Sequence, residues 1–364
     1  MHVVQLLPEL NQGGVERGTV ELNRELVKRG HRSSVISLGG KQVNSIVQDG
    51  GNHYTLDVCS KNPLNFFARA SKLSALLHSI DPDILHARSR VPAWLTWYVN
   101  KQLHLPFITT VHGFNSVNPY SAIMTKGDQV ICVSKAVKEY VVSNYKTPAD
   151  RYQIIYRGLD EEEFNENAID HQWIKTFRNN HKLNQQYVIS SIGRITQLKD
   201  YETFIHAIYK LKNDIPNVKA LIVGGVHPKK KKYFHRLTSL VNKYQLSDTI
   251  IFTGSQNYMR EIYTLSDLVI STSKKPESFG RTLIESMAMN TPAIATNHGG
   301  AVEILPKERL FEPQNTDQLL ACIKNVYEHS PCTLRLKTLE QFSLDRMVEQ
   351  ILALYIREKE KEYV

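Results

Sequence analysis

Short apolar, β-branched runs alternate along this chain with longer runs of helical period. VVQLL (3–7), SVISL (34–38), DILHA (83–87), PFITTV (106–111), QVICV (129–133) and QIIY (153–156) predict strands in the first half. YVISSI (187–192), VKALIV (218–223), TIIFTG (249–254), DLVIST (267–272) and PAIAT (292–296) predict strands in the second. Between them lie amphipathic segments. Over 15–29, Val15, Thr19, Leu22 and Leu26 fall at i, i+4, i+7 and i+11 and share one helix face. Strands alternating with helices imply α/β architecture with parallel sheets covered on both faces. The polar stretch 160–186 interrupts the pattern and divides it into two doubly wound domains, 1–165 and 166–342. The last segment, 343–364, is helical, with Met347, Ile351, Leu354 and Tyr355 on its apolar face. It is expected to return to the N-terminal domain. Ligands of open parallel sheets bind outside the carboxyl ends of the strands, so two such domains facing each other would enclose a cleft with a site on each side.

The 364 residues suffice for two cores, and 41% hydrophobic with 22% charged residues is ordinary for a globular protein. No run of 18 apolar residues is present, and the N-terminus lacks a basic region before its apolar run, so a cytoplasmic protein is expected. The four cysteines form no C-x-x-C pair and read as thiols, not as a disulfide framework or a metal site. The formal charge of +9 suits an anionic partner: nucleotide phosphates, the inner face of a membrane, or nucleic acid. No RNP, zinc-finger or basic-zipper pattern supports the last of these.

Five stretches carry candidate chemistry, each just beyond a predicted strand. In KKPESFGRTLIESMAMNTP (274–292), Glu277 occupies a strand-end loop, a helix begins near Phe279 or Gly280, and Glu285 lies in its second turn. Backbone N–H groups of Ser278, Phe279, Gly280 and Arg281 at a helix start suit a diphosphate, and the two carboxylates suit sugar and ribose hydroxyls. In SSIGRITQLKDYETF (190–204), Arg194 and Lys199 are placed to offset charge on a leaving diphosphate. Gly13-Gly14, followed by Glu16 in a helix's first turn, is not a G-x-G-x-x-G fingerprint. His112 directly follows the strand FITTV, and His86, Arg88 and Arg90 follow or end the strand DILHA. Arg88 and Arg90 suit a phosphate or carboxylate of a second substrate. Gly299 and Gly300 let the backbone approach a phosphate. Ser134 reads as a helix N-cap.

Three features point elsewhere. Asp81-Pro82-Asp83 spells D-x-D but precedes its strand, so it belongs to the sheet edge away from the ligands. No metal site is assigned there. The basic run Lys229–Lys232 reads as solvated surface or as a contact with an anionic membrane face. The segment 62–80 is apolar on one face with Arg69 and Lys72 on its flank, which fits a core-packing helix or a membrane-facing one.

The element E-S-F-G-R-T-L-I-E (277–285), an E-x7-E pattern, and the chain around it resemble family 4 glycosyltransferases of the GT-B fold, over most of the chain. The resemblance implies two Rossmann-like domains across a cleft and retention of anomeric configuration. It implies transfer from a UDP- or GDP-sugar, a co-substrate, with no separate cofactor or metal. It assigns the donor sugar to Glu277, the ribose to Glu285, the phosphates to Arg194, Lys199 and the amides around Phe279 and Gly280, and the substrate cleft to Gly13, Gly14 and Glu16. His112 would lie near the reacting sugar. IIYRGLDEEEF (154–164) resembles the family's hinge, and H-A-R-S-R-x-P-A-W (86–94) resembles a subgroup that builds lipopolysaccharide and other envelope glycans on a glycan or lipid-linked acceptor. Asn290 stands where Gly is common, and Asn also tolerates a left-handed backbone. An epimerase of the same fold and a non-catalytic nucleotide-sugar or glycan binder are the alternatives.

Overall fold

Each half of the chain builds one wholly parallel sheet. The computed structural model describes residues 1–11, 13–227, 230–329 and 334–361. Lys229 of the basic run, Cys332, and 362–364 of the terminal segment lie outside them. In chain order the first half comprises β1 (His2–Leu6), α1 (Gly14–Lys28), β2 (Arg32–Ser37), α2 (Val43–Gln48), β3 (Asn52–Thr55), α3 (Phe66–Ile80), β4 (Ile84–Ala87), α4 (Arg90–Leu103), β5 (Phe107–Val111), β6 (Gln129–Cys132), α5 (Lys135–Asn144) and β7 (Tyr152–Ile154). The second comprises α6 (His171–Asn180), β8 (Tyr187–Ile192), α7 (Tyr201–Leu211), β9 (Val218–Val223), α8 (Lys231–Lys243), β10 (Ile250–Gly254), α9 (Met259–Leu265), β11 (Leu268–Ser271), α10 (Arg281–Ala288), β12 (Ala293–Thr296), α11 (Ala301–Ile304), β13 (Leu310–Phe311), α12 (Thr316–Glu328) and α13 (Leu334–Phe342). The helix α14 (Leu344–Glu360) follows.

The strand orders are β3-β2-β1-β4-β5-β6-β7 and β10-β9-β8-β11-β12-β13. Both are Rossmann orders that reverse direction at the first strand, so each sheet has a switch point: β1/β4 in one, β8/β11 in the other. Register is tight there, with Leu6 paired to Ala87 and Val269 to Ser190. The predicted strands all appear; β3 and β13 were not predicted. Both are short edge strands, and NHYT carries the polar composition that an edge tolerates.

Successive residues of a strand face opposite layers, and both layers are apolar in the second sheet. Ile189, Ala220, Ile222 and Ile270 pack with Phe204, Ile208 and Leu237 on one side. Val188, Leu221 and Val223 pack with Phe177, Ile262 and Leu265 on the other. In the first sheet, Val3, Ile84, Ile108 and Ile131 pack with Leu22 and Leu26 of α1 and with Met347, Ile351, Leu354 and Tyr355 of α14. Ser134 caps α5, its Oγ accepting the Val137 N–H at 3.1 Å. The segment 62–80 forms α3, which buries Ala70, Leu73 and Leu77 and leaves Leu64 and Phe67, before and at its start, exposed. Cys59, Cys132 and Cys322 are thiols. Among the described residues, no helix is long and apolar enough to cross a membrane.

Two compact units result: Met1–Gly158 with the terminal segment from Leu344, and Leu159–Ser343. The first boundary thus precedes the 165/166 position that polarity suggests. The reason lies in two apolar anchors of that polar stretch. Leu159 is buried and donates its N–H to Phe342 O at 2.7 Å, and Phe164 packs 6.1 Å from the Tyr263 ring. Ser343 bridges Leu159, which holds it in the second unit as well.

α14 is fastened by a buried polar contact besides its apolar face. The Tyr355 hydroxyl lies 2.6 Å from His86 Nδ1, both residues being wholly buried. Tyr355→Phe keeps the packing but leaves an imidazole nitrogen unpaired, so unfolding of the first unit should become easier by about 1–3 kcal/mol. Urea denaturation followed by circular dichroism measures this, and an unchanged midpoint would show that the contact contributes nothing.

Candidate active site

At the β8/β11 switch point, two loops are bound to each other by their own backbones. Lys274 N–H donates to Leu198 O at 2.8 Å, and Thr272 Oγ1 lies 2.8 Å and 3.0 Å from the carbonyls of Lys199 and Asp200. An ion pair between the Lys274 ammonium and the buried Asp200, at 3.1 Å, adds to this. The Tyr201 hydroxyl fixes the carbonyl of Gly193 at 2.6 Å. These contacts set Lys199 opposite Glu277, with Nζ 2.5 Å from Oε1. The Ser273 and Ser271 hydroxyls also donate to that carboxylate. Burial alone would raise the Glu277 carboxyl. The Lys199 ammonium and the two serines outweigh it and hold the group below its ordinary value, so it stays ionised. Arg194, on the same loop, is exposed and has no ion-pair partner among the described residues.

Helix α10 starts at Arg281, with Gly280 as a left-handed N-cap at φ 112°. Ser278 is half-buried, while the Phe279 ring is buried against Phe342 at 5.5 Å, leaving the backbone of this turn as its ligand-binding resource. Gly299 and Gly300 press on the same turn. A Cβ on Gly299 would stand 2.3 Å from Glu277 O, and one on Gly300 2.3 Å from Phe279 O. Glu285 is buried; Tyr263 Oη donates to its Oε2 at 2.7 Å and Arg281 Nε to its Oε1 at 3.3 Å. Asn290 adopts φ 56°, the left-handed conformation its side chain tolerates.

The β1/β4 switch point of the first unit gathers a second set. Gly13 and Gly14 are exposed at the start of α1, with the Glu16 carboxylate folded back beneath Gly13. Glu16, Arg88, Arg90 and His112 line a cavity of about 280 Å³. Arg88 is buried and donates to Gln5 Oε1 at 2.9 Å, while its Nε has no partner. Burial pushes this guanidinium down to about 10, so it remains charged at neutral pH. Arg90 donates to Ser121 Oγ at 3.1 Å.

His86 is not a ligand-contacting residue. It precedes the strand end and points into the core, where both ring nitrogens are used, by Tyr355 and by Thr110 Oγ1 at 2.6 Å. It supports the cavity floor. His112 differs. Arg157 donates to its Nδ1 at 2.8 Å, which places the imidazole proton on Nε2, and that nitrogen has no partner. Burial lowers His112 well below 6.5, aided by the charges of Arg157 and Arg88, so the ring is neutral. Of the D-x-D carboxylates, Asp83 serves structure: it accepts the His2 N–H at 2.5 Å and pairs with Lys359 at 2.7 Å. Among the described residues, no group of three or more His, Cys, Asp or Glu is placed to hold a metal.

Sequence reasoning missed Arg157, Ser273 and Tyr263. Arg157 had a readable signal, since it follows the strand run QIIY as His112 follows FITTV. Gly18 in α1 makes room for it: a Cβ there would lie 2.1 Å from Arg157 Nη1 and 3.3 Å from Arg88 Nη2. Ser273 and Tyr263 carry no local sign, because their roles come from residues distant in sequence or from a folded loop.

Two sheets of Rossmann order, each with charged residues at its switch point, are the architecture of the GT-B fold. The sequence comparisons agree along both halves. The model for Glycosyltransferase Family 4 matches residues 12–163, and that for Glycosyl transferases group 1 matches residues 174–342. A glycosyltransferase from Rickettsia africae is 30% identical, covers 98% of each chain and superposes with a TM-score of 0.90. N-acetyl-alpha-D-glucosaminyl L-malate synthase of Bacillus anthracis is 27% identical over 96% of this chain and 94% of that one. HepE of Anabaena, solved in complex with UDP, shares the fold at a TM-score of 0.85, with 19% identity over 97% of this chain and 99% of that one. The chain belongs to the GT-B glycosyltransferases of family 4.

His86 and His112, held neutral in the fold, bind protons only once unfolded as pH falls below about 6.5. Their contribution is complete above that pH and lost below it, at up to about 1.4 kcal/mol per pH unit for each group. Melting curves between pH 7.5 and 5.5 should therefore fall, and His86→Asn should flatten the fall. A pH-independent melting temperature would contradict this protonation assignment.

Proposed function

We propose that this glycosyltransferase moves a sugar from a UDP- or GDP-sugar, with retention at the anomeric carbon, to a hydroxyl of a glycan or lipid-linked acceptor in envelope polysaccharide or lipopolysaccharide synthesis. The observation that carries the reading is the Lys199–Glu277 ion pair at the switch point, beside the glycine-pressed start of α10. Lys199 and Arg194 would hold the diphosphate, Glu277 the hydroxyls of the donor sugar and Glu285 the ribose, with the backbone of Ser278, Phe279 and Gly280 on phosphate oxygens. UDP is favoured by HepE, a neighbour solved with UDP and with UDP-glucose.

The chemistry needs no covalent enzyme intermediate. The bond between the anomeric carbon and the phosphate oxygen breaks, its electron pair staying with the diphosphate. The acceptor oxygen bonds to the same face of that carbon, and its proton passes to the departing phosphate oxygen. Negative charge grows on the leaving group, where two cations stabilise the transition state more than the ground state. The neutral His112, with its proton on Nε2, supplies a hydrogen-bond donor for a sugar hydroxyl. Glu16, Arg88 and Arg90 form the acceptor pocket, and two of them are cations suited to a phosphate or carboxylate. The net charge of +9 supports peripheral contact with an anionic membrane face.

Lys199→Ala and Glu285→Ala should each lower kcat by about 10²-fold or more while the far-ultraviolet spectrum is unchanged. UDP release from UDP-sugars measures this, and near-normal turnover in either variant would refute the assignment. UDP at a hundred times its Kd should stabilise the protein by about 2.7 kcal/mol, which a thermal-shift comparison of UDP with GDP reads directly. Proton coupling constants of the product should show the donor's anomeric configuration; an inverted product rules out the mechanism.

A further inference from the structure

We infer that the acceptor is an amphiphile, with its anionic head in the Arg88–Arg90 pocket and an apolar chain in the groove on the other side of Arg90. The inference rests on the acceptor pocket assigned above and specifies what that pocket takes.

A second cavity of the first unit, of about 530 Å³, has walls formed by Pro63, Phe66, Val91, Trp94 and Tyr120. Most of its surface is carbon, and its size is that of a site for an organic ligand. One partition separates it from the cationic pocket. Ser89 and Arg90 line the pocket, and Val91 and Trp94, on the same turns of α4, line the groove. The Arg90 guanidinium stands 5.3 Å from the Tyr120 ring centroid, and Trp94 Nε1 donates to Tyr120 O at 3.0 Å. A molecule with a charged end and an adjoining hydrocarbon would meet matching surfaces on both sides of Arg90.

The exposed surroundings continue the pattern. Leu64 is 91% exposed and Phe67 68%, beside the groove residues Pro63 and Phe66. Phe66, Phe67 and Tyr98 form an edge-to-face cluster that keeps this apolar surface ordered. An apolar surface that runs on from the groove in this way marks a binding site, where a single exposed apolar side chain would not.

Charge selects the head group. Between Asp57 and Asp128 the only acidic residues are Asp81 and Asp83, which lie at the opposite, amino end of β4. The Asp57 carboxylate accepts the N–H groups of Cys59 and Ser60. Lys61 and Arg69 border the groove, and Arg88 and Arg90 the pocket, where Glu16 is the one carboxylate. Three buried nitrogens of this region, Arg69 Nη1, Arg88 Nε and His112 Nε2, have no partner. Such donors match phosphate oxygens and hydroxyls.

Dodecyl phosphate, below its micelle-forming concentration, and butyl phosphate test the inference by titration calorimetry on the full chain, with no donor present. Dodecyl phosphate should bind at least tenfold more tightly. Val91→Asn and Phe66→Ser, on opposite walls, should each remove most of that preference and leave butyl phosphate affinity and UDP affinity within twofold. Arg90→Gln should weaken both phosphates. Equal affinities in the wild type would overturn the inference, as would a preference that survives both groove variants. Binding confined to vesicles of anionic phospholipid would overturn it too, since that is contact with a bilayer surface and not a chain in the groove. Each of these outcomes leaves UDP-sugar turnover and its loss in Lys199→Ala untouched, so the groove can fail while the transferase reading stands.

Discussion

Parallel sheets can exist in water only when both faces are covered, because every strand of the sheet is flanked by a connection that must lie on one face or the other. That constraint governs this chain. Helices occupy both faces, so the strands are buried on both sides and their polar residues, such as Gln5 and His86, are used in internal hydrogen bonds. Polar chemistry is confined to the places where strands end. The order of each sheet reverses at its first strand, and the two helices that follow diverge there, opening a crevice. Gly193 to Lys199 and Ser273 to Gly280 flank one such crevice, and Gly13 to Glu16 and Arg88 to Arg90 the other.

What occupies those crevices is a set of charges held away from bulk water. In the second unit the carboxylate of Glu277 is matched by an ammonium and two hydroxyls, so it costs little to keep ionised. In the first unit the balance is different. Arg88 is buried and donates to an amide oxygen, and its neighbour Arg157 orients an imidazole. A buried cation without a matching carboxylate is a standing cost to stability, and a ligand anion is the group that relieves it. The absence of a side chain at Gly18 is what lets both guanidinium groups come this close to α1.

The architecture was readable because buried parallel strands announce themselves as short apolar runs, and the spacing of those runs placed the strand-end loops. DLVIST and YVISSI place Glu277 and Arg194 in strand-end loops. The strands not read, NHYT and the Leu310–Phe311 pair, sit at sheet edges, where half the burial that creates the signal is missing. The unit boundary was misplaced because composition averages over a segment, whereas Leu159 and Phe164 act singly. His86 illustrates a different limit. A histidine near a strand end points outward or inward according to one residue of register, and local sequence does not distinguish Ala87 from His86 as the last inward position.

The first unit is completed only by the last helix of the chain. Its apolar layer beneath β1, β4, β5 and β6 is completed by Met347, Ile351, Leu354 and Tyr355, which are synthesised after the whole of the second unit. A ribosome therefore releases the second unit with all of its residues in hand while the first still exposes the surface that α14 will cover. The half of the enzyme that is translated first is the half that finishes folding last, and until the final helix emerges its core depends on whatever protects nascent apolar surface.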